Sequence, residues 1–312
     1  MEYKHVYGPV PSRRLGKSLG VSPIPSKTCN YSCVYCQLGR TDHMTNLRQD
    51  FYDPQEILNE ILDAVKNNPN GIDYVTFVGE GEPTLCKSLD YLIRETKLRT
   101  KLPVAVITNG SLLYMEDVRN DLKDADVVLP SLDADDEETF KKINRPHGEI
   151  DFNKMVEGLK VFSKIRNGQL WVEVMLVKGI NDDEKHLKGI AGILKEISSD
   201  RVYVNVPIRP PAEKWVEIPD EESLVKAHEI LHSYVISGYE EGEFHIDDPS
   251  KLYDEIIKIC ERHPMREEQI KELAEKFGFS EEEMILKVQN NPAVKIIEYH
   301  GKRFFLVKPK QE

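Results

Sequence analysis

Three of the chain's five cysteines fall within eight positions: Cys29, Cys33 and Cys36, in the stretch TCNYSCVYCQLGR from residue 28 to 40. Thiolates gathered in one loop are soft ligands, suited to zinc or to an iron–sulfur cluster. Three is one short of a closed four-ligand site, and an odd number for a disulfide framework. The residues leave three chemistries open. His43 could join the three cysteines around zinc, although six residues separate it from Cys36. Cys86 or Cys260, both far off in sequence, could complete a four-cysteine electron-transfer cluster. Alternatively, the three thiolates hold a [4Fe–4S] cluster and leave its fourth iron open to another ligand.

Further chemistry-bearing residues recur at turns. In FVGEGEPTL, residues 77–85, Gly79 and Gly81 let the backbone turn close against a ligand, and Pro83 stiffens the exit. Glu80 and Glu82 there offer two carboxylates to a cationic group; an ordinary acidic turn is the plain alternative. ITNGSLL places Thr108, Asn109 and Gly110 at a turn. In PSLDA, Ser131 and Asp133 are two apart and share one face of a strand, an arrangement suited to hydroxyl recognition. Asp133 or Asp135 would equally serve as cap of the helix opened by EETFKKI. Asn205 lies near the end of the last apolar run, in VYVNVPIRPP, and Arg209 follows it there.

These residues need elements to hold them. From about residue 18 to 240, short β-branched runs alternate with amphipathic stretches. The expected strands are 18–24, 73–79, 103–109, 125–133, 170–179 and 201–208. Helical periodicity fills 53–68, 151–165 and 181–197, with Asp53 as a cap and Pro54 at the first helical position. Strands alternating with helices imply right-handed βαβ units and a mostly parallel sheet. Six units suit an α/β partial barrel, (β/α)6, better than an eightfold one, and chemistry in such folds gathers at the carboxyl ends of the strands. Residues 248–312 change pattern to three helices and a hairpin turning at His300-Gly301-Lys302, a winged-helix-like module. The expected domains are therefore 1–247, with a basic segment 1–48 carrying the cysteine loop, and 248–312.

Composition bounds the class. The 312 residues are 40% hydrophobic and 31% charged, with a net charge of −12. No window approaches the ~20 apolar residues of a membrane span, and MEYKHVYGPVPSRRLG has no apolar signal core. A cytoplasmic address follows, where thiols stay reduced and bind metal rather than pair. Residues 1–48 carry a net +5 although the chain is acidic. That leader suggests an anionic group handled near the cysteines, with Arg13, Arg14 and Lys17 as substrate candidates. The overall acidity argues against non-specific coating of nucleic acid. Cys86 reads best as a buried structural thiol.

The spacing Cys29-x3-Cys33-x2-Cys36, with Tyr35 before the last cysteine and GEGEP at the next strand end, resembles the radical S-adenosylmethionine (SAM) superfamily. YGPVPSRRLGKSLGV, SLDA, INRPHGEI and RPPAEKWV narrow the resemblance, over residues 3–240, to an uncharacterised Fe–S oxidoreductase branch grouped with wybutosine tRNA-modification enzymes. The resemblance implies a partial barrel of the radical SAM type. It also implies a cluster on Cys29, Cys33 and Cys36 whose open iron is chelated by SAM, and cleavage of SAM to a 5′-deoxyadenosyl radical that abstracts hydrogen from a substrate. Tyr35 would lie by the adenine, with Gly179 and Ile180 of LVKGIND. Gly79, Glu80, Gly81 and Glu82 would receive the methionine end, although the usual motif has glycine where Glu80 stands. Thr108, Asn109, Ser131, Asp133 and Asn205 complete the expected SAM contacts. Ferredoxin or flavodoxin would supply the electron. The substrate class stays open between an RNA or tRNA base, a peptide and a small metabolite. A zinc-stabilised winged-helix binding protein and a simple electron carrier are the alternatives from other classes. The terminal module has Ser280-Glu281-Glu282-Glu283 opening its third helix, which repels phosphate; only Lys295, His300, Lys302 and Arg303 of the hairpin favour RNA.

Overall fold

The computed structural model describes residues 3–69, 71–234, 249–262 and 264–307. The strands are β1 (Val6–Ser12), β2 (Gly16–Val21), β3 (Thr28–Cys29), β4 (His43–Met44), β5 (Tyr74–Phe77), β6 (Val104–Thr108), β7 (Val127–Pro130), β8 (Gln169–Met175), β9 (Arg201–Asn205), β10 (Met265–Arg266), β11 (Val294–Tyr299) and β12 (Lys302–Val307). The helices are α1 (Pro54–Asn67), α2 (Leu89–Thr100), α3 (Glu116–Leu122), α4 (Glu137–Ile143), α5 (Phe152–Ile165), α6 (Glu184–Leu194), α7 (Glu221–Leu231), α8 (Leu252–Arg262), α9 (Glu267–Lys276) and α10 (Glu281–Gln289).

The main sheet runs β1-β2-β5-β6-β7-β8-β9. Its strands are parallel from β2 to β9, six in all, as expected of a (β/α)6 array. Each expected strand is present, mostly in shortened form. The exception at the amino end is β1, an antiparallel edge strand absent from the sequence expectation. Its VYGPVPS carries Pro9 and Pro11, which lack ladder donors and are tolerated at a sheet edge.

Both faces of the sheet are buried, which is why its strands read as apolar runs rather than alternations. Val104, Val106, Val128, Val172, Val174 and Val204 point to the helix-covered core. Ala105, Leu129, Trp171 and Tyr203 face the interior, where Leu15 from the β1–β2 turn plugs them. Helix α1 starts as its sequence dictates: Asp53 accepts from the Gln55 N–H, Pro54 follows, and Ile57, Leu58, Ile61 and Ala64 are buried.

After residue 249 the chain builds a second layer, α8–α10 against a β10-β12-β11 sheet. The hairpin turns on two residues, His300 and Gly301, both with positive φ, which matches the twist of the strands. The expected boundary at 247/248 lies outside the described residues. This layer's core of Leu252, Ile256, Ile270 and Phe305 takes in Val10 of β1. At the other edge, the Tyr299 hydroxyl donates to the Pro207 carbonyl at 2.8 Å, just past β9. The terminal layer thus touches both edges of the open sheet. Among the described residues no helix is long and apolar enough to cross a membrane.

Helix α5 lies so close to the turn after β6 that a methyl group at Gly158 would overlap the backbone of Leu113 and Tyr114. We expect Gly158→Ala to cost about 1–3 kcal/mol of stability, measured by denaturant unfolding. Unchanged stability would contradict that packing.

Candidate active site

The cysteine loop leaves the carboxyl end of β2 and is fixed from two sides. On one side Lys27 donates its N–H to the Glu80 carbonyl at 2.6 Å, and Glu82 donates to the Thr28 carbonyl at 3.2 Å. A Cβ at Gly81 would overlap that same Thr28 carbonyl, so the glycine is required by contact with the cysteine strand. On the other side Ser32 donates to the Asn144 carbonyl (3.0 Å), Val34 to that of Ile143 (2.9 Å), and His147 to that of Asn30 (2.8 Å). Residues 143–147, part of INRPHGEI, are therefore the second wall of the loop. Within it, Cys36 donates to the Cys33 carbonyl and Gly39 to that of Cys36. His43, the candidate fourth zinc ligand, sits on the exposed strand β4, paired with Thr28.

The three thiols are half-buried. Cys29 Sγ accepts from the Tyr31 N–H at 3.4 Å and from Asn109 Nδ2 at 3.7 Å; Cys33 Sγ accepts from Asn144 Nδ2 at 3.6 Å. Burial, with the Glu82 carboxylate adding, pushes Cys29 up to about 12. Burial and the neighbouring cysteines raise Cys33 well above the ordinary thiol range, and burial raises Cys36 against the opposing charge of Lys27. Among the described residues, ligand atoms within 4.8 Å of one another occur at Asp135, Asp136 and His186. Those groups serve packing: His186 Nδ1 bonds Asp135 at 2.6 Å, and Asp136 caps α4 by accepting from the Thr139 N–H. Neither Asp133 nor Asp135 is that cap, contrary to the sequence alternative.

Two buried carboxylates organise the strand ends. Glu82 is 1% exposed. Its Oε1 accepts from the Thr84 N–H (3.0 Å) and from the hydroxyls of Thr84 (2.5 Å) and Thr108 (2.6 Å); its Oε2 accepts from the Asn109 N–H (2.7 Å). Glu82 was expected to face a ligand, but its acceptors are filled from within the chain. Thr108 is consumed in the same network. Asn109 is engaged at its N–H and at both side-chain polar atoms, since Nδ2 also donates to Asn30 Oδ1 (2.7 Å) and Oδ1 accepts from the Ser111 N–H. Burial raises Glu82's carboxyl above its usual range, opposed by these donors.

Asp133, 4% exposed, is the second. Its Oδ2 accepts from the Tyr35 hydroxyl (2.5 Å) and Asn144 Nδ2 (2.7 Å), and its Oδ1 from the Met175 N–H (2.9 Å). The expected pairing of Ser131 and Asp133 toward one ligand therefore splits. Asp133 orients Tyr35, while the Ser131 hydroxyl makes no hydrogen bond among the described residues and is half-buried. Asn30, Asn144 and Asn181 belong to this framework and were not assigned roles from sequence. A buried amide in a motif is the available signal, but its partners come from distant strands.

The remaining candidates divide. Tyr35 and Ile180 pack together against Val34, Val177 and Val216. Gly179 is exposed with φ +70, and a side chain there would meet open space. Gly79 has φ +44 and lies against Ile24; the Glu80 N–H donates to Ser22 Oγ. Asn205, 5% exposed at the end of β9, buries an Oδ1 that has no protein partner. The proposed substrate residues Arg13, Arg14 and Lys17 lie at the β1–β2 turn, the amino end of the parallel strands, opposite the cysteines. Lys17 precedes the first β2–β5 pair, and Arg14 forms an ion pair with Glu173 on the inner face. Arg209 donates to Gln37 beside the loop at 2.7 Å. Cys86 and Cys260 are buried.

A family profile described as Radical SAM superfamily matches residues 24–188. A UPF0026 protein of Methanocaldococcus jannaschii is 40% identical over 308 residues, 96% of this chain and 95% of the relative. Among solved structures, a radical SAM methyltransferase from Sphaerobacter thermophilus superposes with a TM-score of 0.51 at 15% identity, covering 69% of this chain and 63% of that one. Streptococcus suis SuiB bound to S-adenosylmethionine does so with a TM-score of 0.51 at 17% identity, covering 67% and 45%.

Glu213 clips the loop from outside. It donates its N–H to the Val34 carbonyl, and its carboxylate accepts from Arg40 (2.8 and 3.1 Å) and Arg145 (2.5 Å). Those hydrogen bonds hold its carboxyl at about 2, below the ordinary 4.5. The folded value is the lower one, so the clip's stabilisation is present above about 4.5 and is lost as pH falls through about 2. Glu213→Gln should therefore flatten the stability profile across that window in acid unfolding. A wild-type slope in the variant would refute the clip. At Glu82, replacing the carboxylate by Gln puts an amide donor among donors and should cost about 2–3 kcal/mol, read by denaturant unfolding; an unchanged midpoint would show that its four bonds contribute nothing.

Proposed function

The chain belongs to the radical SAM superfamily, and we propose that Cys29, Cys33 and Cys36 hold the superfamily's [4Fe–4S] cluster with one iron left for SAM. The donor set fits that group. Three half-buried thiols on one loop are the ligand type that iron–sulfur clusters take. Amide N–H groups already point at two of them. In the loop the buried Tyr31 hydroxyl, and at the carboxyl end of β9 the Asn205 Oδ1, lack protein partners, as groups that face a bound cofactor do. One observation supports the reading above the others: the three thiols sit on one braced loop at the carboxyl ends of six parallel strands. When bound, the cluster would supply the electron for reductive cleavage of SAM, the superfamily's source of a hydrogen-abstracting radical.

The chain's own residues bind and orient. Glu80 and the backbone of Gly79 and Gly81 receive the methionine end, and Glu82 braces them from behind. Tyr35, held by Asp133, and Ile180, beside Gly179, flank the adenine. The Ser131 hydroxyl and Asn205 Oδ1 meet hydroxyl or ammonium groups of SAM. Thr108 and Asn109 act through Glu82 and Cys29 rather than on SAM.

Superfamily enzymes need a reductant and act on a substrate. For this chain we assign low-potential ferredoxin or flavodoxin as the reductant, and the cytoplasm as its compartment. We read the terminal layer, residues 248–312, as winged-helix-like. We read that layer first as a packing or protein-contact module and second as an RNA contact, since Arg303 of its hairpin pairs with Glu267 at 2.6 Å; an RNA base heads the candidates for hydrogen donor, before a peptide or a small metabolite.

Anaerobic reconstitution should give four irons per chain, and dithionite with SAM should give 5′-deoxyadenosine. Cys33→Ala should abolish both. Asn205→Ala should weaken SAM binding about five- to tenfold, the worth of one hydrogen bond. Zinc without iron, or a four-cysteine cluster inert toward SAM, would overturn the assignment.

A further inference from the structure

Two asparagine side chains reach the cysteine sulfurs from opposite walls of the loop. Asn109, after β6, donates Nδ2 to Cys29 Sγ at 3.7 Å and to Asn30 Oδ1 at 2.7 Å. Asn144, after α4, donates Nδ2 to Asp133 Oδ2 at 2.7 Å and to Cys33 Sγ at 3.6 Å, with the Tyr35 hydroxyl 3.4 Å away. A primary amide carries two N–H groups. In Asn109 the Asn30 oxygen takes one and the other faces sulfur; in Asn144 Asp133 takes one, and Cys33 shares the other with the Tyr35 hydroxyl.

The donors are held rather than merely near. Asn144 is buried, and Asp133, which orients it, is itself fixed by the Met175 N–H. Asn109 is fixed by its N–H to Glu82 and by Oδ1 accepting from Ser111. The Asn109 side chain is engaged at both its oxygen and its nitrogen, and Asn144 Nδ2 is shared among partners on three sides. A donor on a cluster thiolate withdraws negative charge and favours the reduced state, the more negative one.

We propose that Asn144, with Asn109 as its counterpart at Cys29, is a positioning residue that raises the reduction potential of the cluster through amide N–H···S hydrogen bonds. The proposal rests on the cluster assignment above. It also makes Asn144 a physical link between the cluster and the Asp133–Tyr35 pair, because a single Nδ2 serves all three.

The test is an EPR-monitored redox titration of reconstituted wild type, Asn144→Leu, Asn144→Ser and Asn109→Ser, each with its iron counted. Asn144→Leu removes both donors and should shift the reduction equilibrium tenfold or more toward the oxidised cluster, a drop of 59 mV or more for a one-electron couple. Asn144→Ser keeps one hydroxyl donor and should fall between. Iron-replete variants whose equilibria stay within twofold of wild type overturn this proposal alone. Wild type without iron overturns the cluster assignment, and this proposal with it. Should the variants fail to hold iron, wild type grown with asparagine labelled by 15N at the side-chain nitrogen gives the answer. Pulsed EPR of its reduced cluster should show 15N coupling, and absence of coupling overturns the proposal.

Discussion

A carboxylate with four donors and almost no exposure ties the active end of this molecule together. Glu82 joins the turn after β5 to the end of β6 through Thr108 and Asn109. The same turn carries Gly81 and the Glu82 N–H against Thr28, one residue before the first cysteine. A buried carboxylate without partners costs several kcal/mol, so this geometry persists only if every donor is in place. That requirement fixes three segments at once. The position of Cys29 is in this sense a consequence of how Glu82 is satisfied.

Asp133 repeats the device on the other side. Its three donors come from the cysteine loop, the loop after α4 and strand β8. Polar networks of this kind are stiff because partial satisfaction is worse than none. The two networks meet at the sulfurs, Asn109 on Cys29 and Asn144 on Cys33, so that the loop is braced by amides as well as by backbone. The cost of so much buried polarity is offset by the apolar layers beneath, where Val104, Val106, Val172 and Val174 back the same strands.

The open sheet would otherwise expose two edges. The terminal layer covers β1 through Val10 and reaches the segment after β9 through Tyr299. Tyr234 adds to β9 by donating its N–H to Val202. Unpaired edges invite association with other strands, and this contact answers that hazard while bringing the hairpin near the loop. A cleft bordered by Lys27, Gln37 and Leu38 on one side and Cys260, Lys295 and Ile297 on the other lies between them.

Local chemistry let the sequence by itself determine a good deal. Apolar runs and capped amphipathic helices announced six βα units, because burial on both faces and the Asp53-Pro54 start are encoded within a few residues. Cysteine spacing likewise marked the loop, since ligands to one cluster must lie close in the chain. The prolines of β1 hid an edge strand, because edge pairing relaxes the usual exclusion of proline. Only the tertiary structure decided which polar residues face a ligand and which face each other. Glu82, Thr108, Asn109 and Asp133 looked like ligand contacts by type and position, and each proved to be satisfied by partners 2 to 98 residues away. Asn144 lay unremarked in a motif, and Arg14 in the basic leader proved to bond Glu173 on the inner face of β8. The reason is physical: a side chain's identity sets what it can bond, but burial and the nearest free partner set what it does bond, and both are properties of the folded chain.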